Sequence, residues 1–266
     1  MIHLENVQIE GYPIQLEIGP DSKVGVFARS LELQKSLLLV LAGINPTPKE
    51  SRYLEENLYD NPHYFRERIF LDTNKKYIEH LRIKELVTHF KQTFDLEVDG
   101  ELLKKHILQL NVKGECEIGT RTQFTKAGLS LATVCLALST HKNLLLHQPT
   151  RHITNPADLA YIKEQLLALP NFVVLGIDHP TLWEKGLDAY FIFTDYQKTV
   201  LLDPVLDQLW LVDDVIIFKD SKLFFCQGCK KIIVKNLTKE QKVHCDRYKI
   251  PYEKISFSAM MRWINE

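Results

Sequence analysis

The stretch VGVFARSLELQKSLLLVLAG, residues 24 to 43, carries a Lys-Ser pair of the kind that handles phosphate groups. An apolar burst runs into a short polar connection and then a Leu-rich segment ending at Gly43. That is the outline of a strand, a phosphate-binding loop and a helix. Such a loop needs glycines, because backbone N–H groups must crowd around phosphate oxygens and a Cβ would block them. It also needs a Lys for charge and a Ser or Thr hydroxyl for magnesium. Lys35 and Ser36 supply the last two. Aligning them with the motif places Arg29 and Gln34 where both glycines belong, and no glycine occurs between Gly25 and Gly43. Glu32 adds a carboxylate where phosphates would sit.

Other residues suggest other chemistry. His147-Gln148 closes the apolar run LLLHQ, and a His there could bind a metal or act as a base. The blander reading, a satisfied polar residue at a strand end, is preferred. Arg29, Glu32 and His147 could gather around a ligand other than a nucleotide. Cys226 and Cys229 form half of a zinc pattern that His244 and Cys245 would complete. Adjacent ligands diverge, and a second C-x-x-C is absent, so a Gly-containing hairpin turn is expected and no metal site. The terminal SFSAMMRWINE presents Phe257, Met260, Met261 and Trp263, either to a partner or as a seal onto the rest of the chain; the seal is expected.

The elements that must position these groups follow from patterning. The 266 residues suffice for one large domain or a domain plus an appendage. A net charge of −1 gives no global reason to expect nucleic acid, and mixed-charge stretches such as KELVTHFKQTF read as solvated helix faces. No apolar run reaches membrane-spanning length, and the N-terminus alternates like strands rather than like a signal peptide. Five irregularly spaced cysteines fit a reducing, cytoplasmic setting. Residues 2 to 28 read as strands, 35 to 44 as a buried helix, and 47 to 67 show no clear periodicity. Helical spacing runs from Lys75 to about Leu110, and 126 to 139 is a strongly apolar helix. NLLLH, NFVVLGID and AYFIFTD are buried strands, with NPADLAYIKEQLLAL between the first two opening on an Asn cap and a Pro. Buried strands alternating with helices predict an α/β sheet. After Pro204 the chain reads as short strands and helices, a small α+β appendage.

In this order the segments resemble the nucleotide-binding subunit of ATP-binding cassette transporters, over roughly residues 1 to 200. LLLVLAGINPTPKE is similar to the family's helix after the phosphate loop. TQFTKAGLSLATVCLALSTHKNLLLHQPT is similar to the signature loop, its helix and the Walker B strand. NFVVLGIDHP resembles the switch-histidine strand. The resemblance implies a P-loop NTPase-like domain over 1–204: a mixed sheet flanked by helices, with a helical subdomain at about 75–125 and an appendage at 205–266.

The same resemblance sharpens what is missing. Counting back from LAG puts Ala28 and Leu33 at the glycine positions and Gln34 in place of the Lys. His147 and Gln148 stand where the Walker B Asp and Glu belong, and Gln cannot act as a general base at neutral pH. Thr125, Lys126 and Gly128 lie in the stretch nearest the signature loop, where the helix N-terminus and a hydroxyl survive but the glycine pair does not. The switch histidine falls on Asp178, with His179 one residue on and facing the other way if the strand continues. The glutamine-loop Gln falls on Thr73, and Tyr12 either stacks on an adenine or is a turn residue.

The resemblance therefore implies a pseudo-ATPase: no catalytic residue, Lys35 and Ser36 as a vestige of ATP and magnesium binding, and no cofactor. The implied partners are a membrane transporter subunit or another cassette subunit, including a second copy, docked through the helical part. Neither nucleic acid nor direct membrane insertion is expected, and the implied location is cytoplasmic, peripheral at the inner face of the membrane. The alternatives are a weakly active ATP-hydrolysing subunit and a transporter-independent interaction protein.

Overall fold

A computed structural model describes residues 1–59, 61–72, 83–94, 97–112, 116–117, 123–213, 216–218, 221–226 and 231–265. The chain opens on a hairpin of β1 (Ile2–Ile9) and β2 (Tyr12–Ile18). Its register, Ile9 opposite Tyr12, leaves Glu10 and Gly11 as a two-residue turn, both with positive φ (49° and 84°). This is the backbone twist that two-residue hairpins favour. β3 (Lys23–Phe27) then leads by a three-residue connection into α1 (Leu31–Leu41). The helix starts at Leu31 rather than at 35, because Ser30 is its N-cap and accepts a hydrogen bond from the Leu33 N–H.

The stretch without sequence periodicity holds β4 (Arg52–Tyr53), β5 (Glu56–Asn57) and α2 (Pro62–Glu67), the last capped by Asn61. β6 (Arg68–Asp72), α3 (Ile83–Phe94) and α4 (Gly100–Gln109) follow, then a short antiparallel pair, β7 (Cys116–Glu117) and β8 (Gln123–Phe124). α5 (Lys126–Leu138), β9 (Asn143–His147), α6 (Pro156–Ala168), β10 (Val173–Gly176), α7 (Pro180–Trp183), β11 (Ala189–Phe193) and β12 (Thr199–Leu202) complete this part.

Among the described residues the main sheet has the order β12-β11-β3-β10-β9-β6. All neighbours run parallel except β12 on β11. The parallel strands are buried on both faces, and the period of two decides which residue meets which layer. Ile69, Leu71, Leu144, Leu146, Val173 and Leu175 face a core shared with α5 and α6. Phe70, Leu145, Val174, Phe191 and Val26 face the opposite core, shared with α1 and the small sheet β2-β1-β4-β5.

The C-terminal part holds β13 (Leu209–Asp213), β14 (Lys222–Cys226), β15 (Lys231–Lys235), α8 (Lys239–Tyr248), β16 (Tyr252–Ile255) and α9 (Phe257–Asn265). Its sheet has the order β14-β15-β13-β16. One face encloses a local core of Val212, Phe218, Ile232, Val234 and Cys245. The other contributes Leu211, Phe224 and Ile233 to the core of the main sheet, as α9 does with Phe257, Met260 and Met261. Phe257 stacks on Tyr190 of β11 at 4.0 Å and 15°, so this helix lies against the main sheet. No described helix is long and apolar enough to cross a membrane.

Candidate functional site

The parallel strands end side by side beneath α1. Asp72 is the last residue of β6 and pairs with His147, the last of β9, which in turn pairs with Gly176, the last of β10. In open α/β sheets such carboxyl ends are where ligands collect. The connection across this edge is short: Ala28, Arg29 and Ser30 span the whole distance from β3 to α1.

Gln34, Lys35 and Ser36 consequently lie inside the helix, one turn past its cap. Gln34 turns inward and is fully buried. Its Nε2 donates to the Val26 carbonyl at 2.8 Å and reaches the Ile177 carbonyl at 3.4 Å. Among the described residues its Oε1 has no hydrogen-bond partner, and it lies where a Cβ on Gly176 would come within 2.6 Å. Gln34 thus bridges the ends of β3 and β10, and Gly176 is the residue that leaves room for it.

Lys35 reaches instead to the edge of the sheet, its Nζ 2.8 Å from Asp72 Oδ2. Asp72 Oδ1 lies 3.1 Å from His147 Nδ1. The carboxylate and imidazole are both buried, whereas the Lys35 side chain keeps 30% exposure. The hydrogen bond to Asp72 raises the Lys35 pKa above its usual value against the opposing effect of burial. The result is a cation, a carboxylate and an imidazole in line, with Asp72 occupied on both oxygens.

The next loop is tied down in the same manner. Asp178 accepts from the Thr150 N–H at 2.7 Å and the Thr150 hydroxyl at 2.5 Å. Burial raises its pKa, and these two bonds pull the other way. Gln148 adopts a left-handed conformation (φ 52°) and its Oε1 accepts from Arg151 at 2.9 Å. β10 ends at Gly176, so His179 does not continue a strand; it stands at the start of α7 with Nε2 3.0 Å from the Thr150 carbonyl. Thr125 caps α5 by accepting from the Gly128 N–H at 2.9 Å.

Arg29, Glu32 and His147 do not gather. Arg29 turns toward the C-terminal sheet, donating to the Phe225 carbonyl at 2.9 Å and pairing with Asp195 at 3.1 Å. Glu32 is exposed in the first turn of α1, whereas His147 is buried under it. Tyr12 is neither in a turn nor on an open face: it begins β2, packs edge-on to Phe193 at 5.2 Å, and donates to the Thr194 carbonyl. Thr73 and Cys229 lie outside the described residues, as do parts of the helical stretch 75–125. Cys245 is buried in the local core of the C-terminal sheet, and among the described residues no group of His, Cys, Asp and Glu is placed to hold a metal.

Asp72 is the functional-type residue that sequence reasoning missed. The signal is a carboxylate closing an apolar run, RIFLD, immediately before Thr73. Thr150, the partner of Asp178, was missed in the same way.

These strand ends, with α1 packed over them and a second antiparallel sheet on the far side, define the mixed α/β fold of P-loop NTPases of the ATP-binding cassette kind. Several solved structures that match are ATP-binding proteins of this kind. One, described as a cobalt-transport ATP-binding protein, is 14% identical, covers 90% of this chain and 93% of its own, and has a TM-score of 0.59. A dimeric ATP-binding cassette in a post-hydrolysis state bound to ADP and Pi is 14% identical, with 77% and 99% coverage and a TM-score of 0.60. An ATP-binding subunit of an ABC transporter is 10% identical, with 76% and 89% coverage and a TM-score of 0.59. At these identities the likeness is one of fold. No family model matches the chain, and no curated protein matches it in sequence.

Proposed function

We propose that this chain is a catalytically inactive cassette-fold protein, serving as a scaffold or regulatory subunit of a membrane transporter complex. One observation carries the reading: Gln34 fills the strand-to-helix junction where a phosphate chain would need open backbone N–H groups. The residues present do not fit a nucleotide with magnesium. The three-residue connection offers no cradle, the Leu33 N–H is taken by Ser30, and Lys35 is committed to Asp72. His147 and Gln148 provide no magnesium-steering carboxylate, and Gln148, at the general-base position, cannot accept a proton.

The transporter context is supported by the fold of the matching ATP-binding subunits and by the helices at 83–109, where Leu108 is 66% exposed on α4. Docking through this region would hold the chain at the inner face of the membrane. We assign residues 1–204 to the cassette part and 205–266 to an appendage, supported by the separate hydrogen bonding of the C-terminal sheet.

The test is magnesium-ATP binding by calorimetry together with thermal unfolding. A ligand at 100 times its dissociation constant stabilises by about 2.7 kcal/mol, which in a chain of this size raises the melting point by roughly 5 to 10 °C. The expected result is neither heat nor shift at millimolar ATP. A shift of that size, lost in Lys35→Ala, would overturn the reading in favour of a residual ATPase.

A further inference from the structure

A second concave site lies away from the strand ends, where the main sheet meets the C-terminal one. The end of β12, the loop 203–208, the end of β16 and the start of α9 enclose a cleft of about 310 Å³. That volume falls in the range of small-ligand sites. Tyr190 and Phe257, stacked on each other, contribute its aromatic wall.

The charges around it sort into committed and uncommitted groups. Asp203 Oδ1 accepts from the N–H groups of Val205 and Leu206, at 2.7 and 3.0 Å. Asp207 is held by Lys235 at 2.7 Å, by Asn236 at 2.6 Å and by the Asp203 N–H at 2.8 Å. Glu184 accepts from the Ser258 hydroxyl at 3.0 Å. The three carboxylates therefore already have donors. Lys185 and Lys254 also line the cleft, are exposed, and form neither ion pair nor hydrogen bond among the described residues. Hydrogen bonding leaves those carboxylates charged, and the charged side chains of the lining without a polar partner among the described residues are the two lysines.

The rim is apolar. Val205 lines the cleft with 87% exposure, and its neighbour Leu206 has 75%. The Asp203 turn holds both in place, so their exposure belongs to an ordered loop and not to a fraying one. Two paired features, free ammonium groups and a presented aliphatic lip, call for a ligand with one anionic end and one apolar end.

We propose that this cleft binds a small organic monocarboxylate. Its carboxylate lies between Lys185 and Lys254, and its apolar body covers Val205, with the buried Tyr190–Phe257 pair behind it. The site is independent of the strand-end region and of whether ATP binds there.

The full chain is titrated by calorimetry and by NMR shift perturbation with acetate, hexanoate and phenylacetate, and with hexylamine as the charge-reversed control. Hexanoate or phenylacetate is expected to saturate in the millimolar range, acetate to bind more weakly, and hexylamine not at all. The double variant Lys185→Glu/Lys254→Glu changes only exposed side chains and should keep its melting point while losing about tenfold or more in affinity. Val205→Ser should weaken hexanoate and leave acetate unchanged. The proposal is overturned if no carboxylate saturates, if hexylamine binds as well as hexanoate, or if the charge-reversed variant binds like the original.

Discussion

The filling of the strand-to-helix junction by Gln34 can be tested as an energetic coupling. Gly176→Ala would place a Cβ 2.6 Å from Gln34 Oε1, 3.0 Å from its Cδ and 3.3 Å from His147 Cδ2. Gln34 cannot swing away, being fully buried and held by the Val26 and Ile177 carbonyls. Overpacking of this kind costs about 2 kcal/mol. Gln34→Ala loses two hydrogen bonds and opens a small hole, offset in part by removing a buried acceptor that has no donor, so it also costs about 2 kcal/mol. In the double variant the clash disappears with the side chain that causes it. The pair should then cost about 2 kcal/mol rather than the additive 4, or roughly 6 °C of melting point rather than 12. Urea unfolding of the four proteins, followed by circular dichroism, measures the cycle. Additivity to within about 0.5 kcal/mol would mean that Gln34 does not occupy the space above Gly176.

Three further outcomes follow from neighbouring groups. Lys35→Met strips the buried Asp72 of its cation and should cost about 2 kcal/mol, less than for a fully buried pair because Lys35 is 30% exposed; guanidinium unfolding should show Lys35→Arg retaining most of the stability, and an unchanged midpoint for Lys35→Met would refute the pairing. His106 is buried against the Tyr161 hydroxyl at 2.8 Å, and burial, helped by Lys105, lowers its pKa. The unfolded chain therefore takes up that proton first, so stability is full above about pH 6.5 and falls as pH drops through it; urea midpoints at about pH 7.5 and 5.5 should converge in His106→Asn, and an unchanged pH slope would refute this. Arg29→Ala removes the bond to the Phe225 carbonyl and the pair with Asp195, about 1 kcal/mol at a half-exposed site. Amide exchange should quicken at Phe225 while the amides of α1 keep their rates.

What the sequence makes legible here is whatever depends on nearby residues. The runs NLLLH and NFVVLG declare buried strands because both faces of a central parallel strand are apolar. The Asn155-Pro156 start of α6 carries its own cap. The site is less legible, because its partners are remote. Asp72 gains meaning only beside His147, 75 residues away, once β6 and β9 pair. Gln34 reads as a misplaced polar residue in a helix until Gly176 gives it a place to lie. Arg29 sits one residue before the cap of α1, and nothing local points it toward Phe225 rather than toward a phosphate. α1 starts four residues before the apolar run that marks it in the sequence, because the Ser30 cap extends the helix through a polar turn.

The Arg29 contact also bears on how the chain reaches this structure. Its two ends are 196 residues apart, and Phe27 meets Phe224 edge-on at 5.9 Å across the same seam. Loop-closure entropy must be overcome before such a contact contributes, so topologies rich in them fold slowly. During synthesis at roughly 5 to 20 residues per second, β3 and its helix would wait on the order of ten seconds or more for β14 to appear. Throughout that interval the flank of Phe27 lacks its cover, which makes the nascent chain a substrate for chaperones in a way that the finished protein is not.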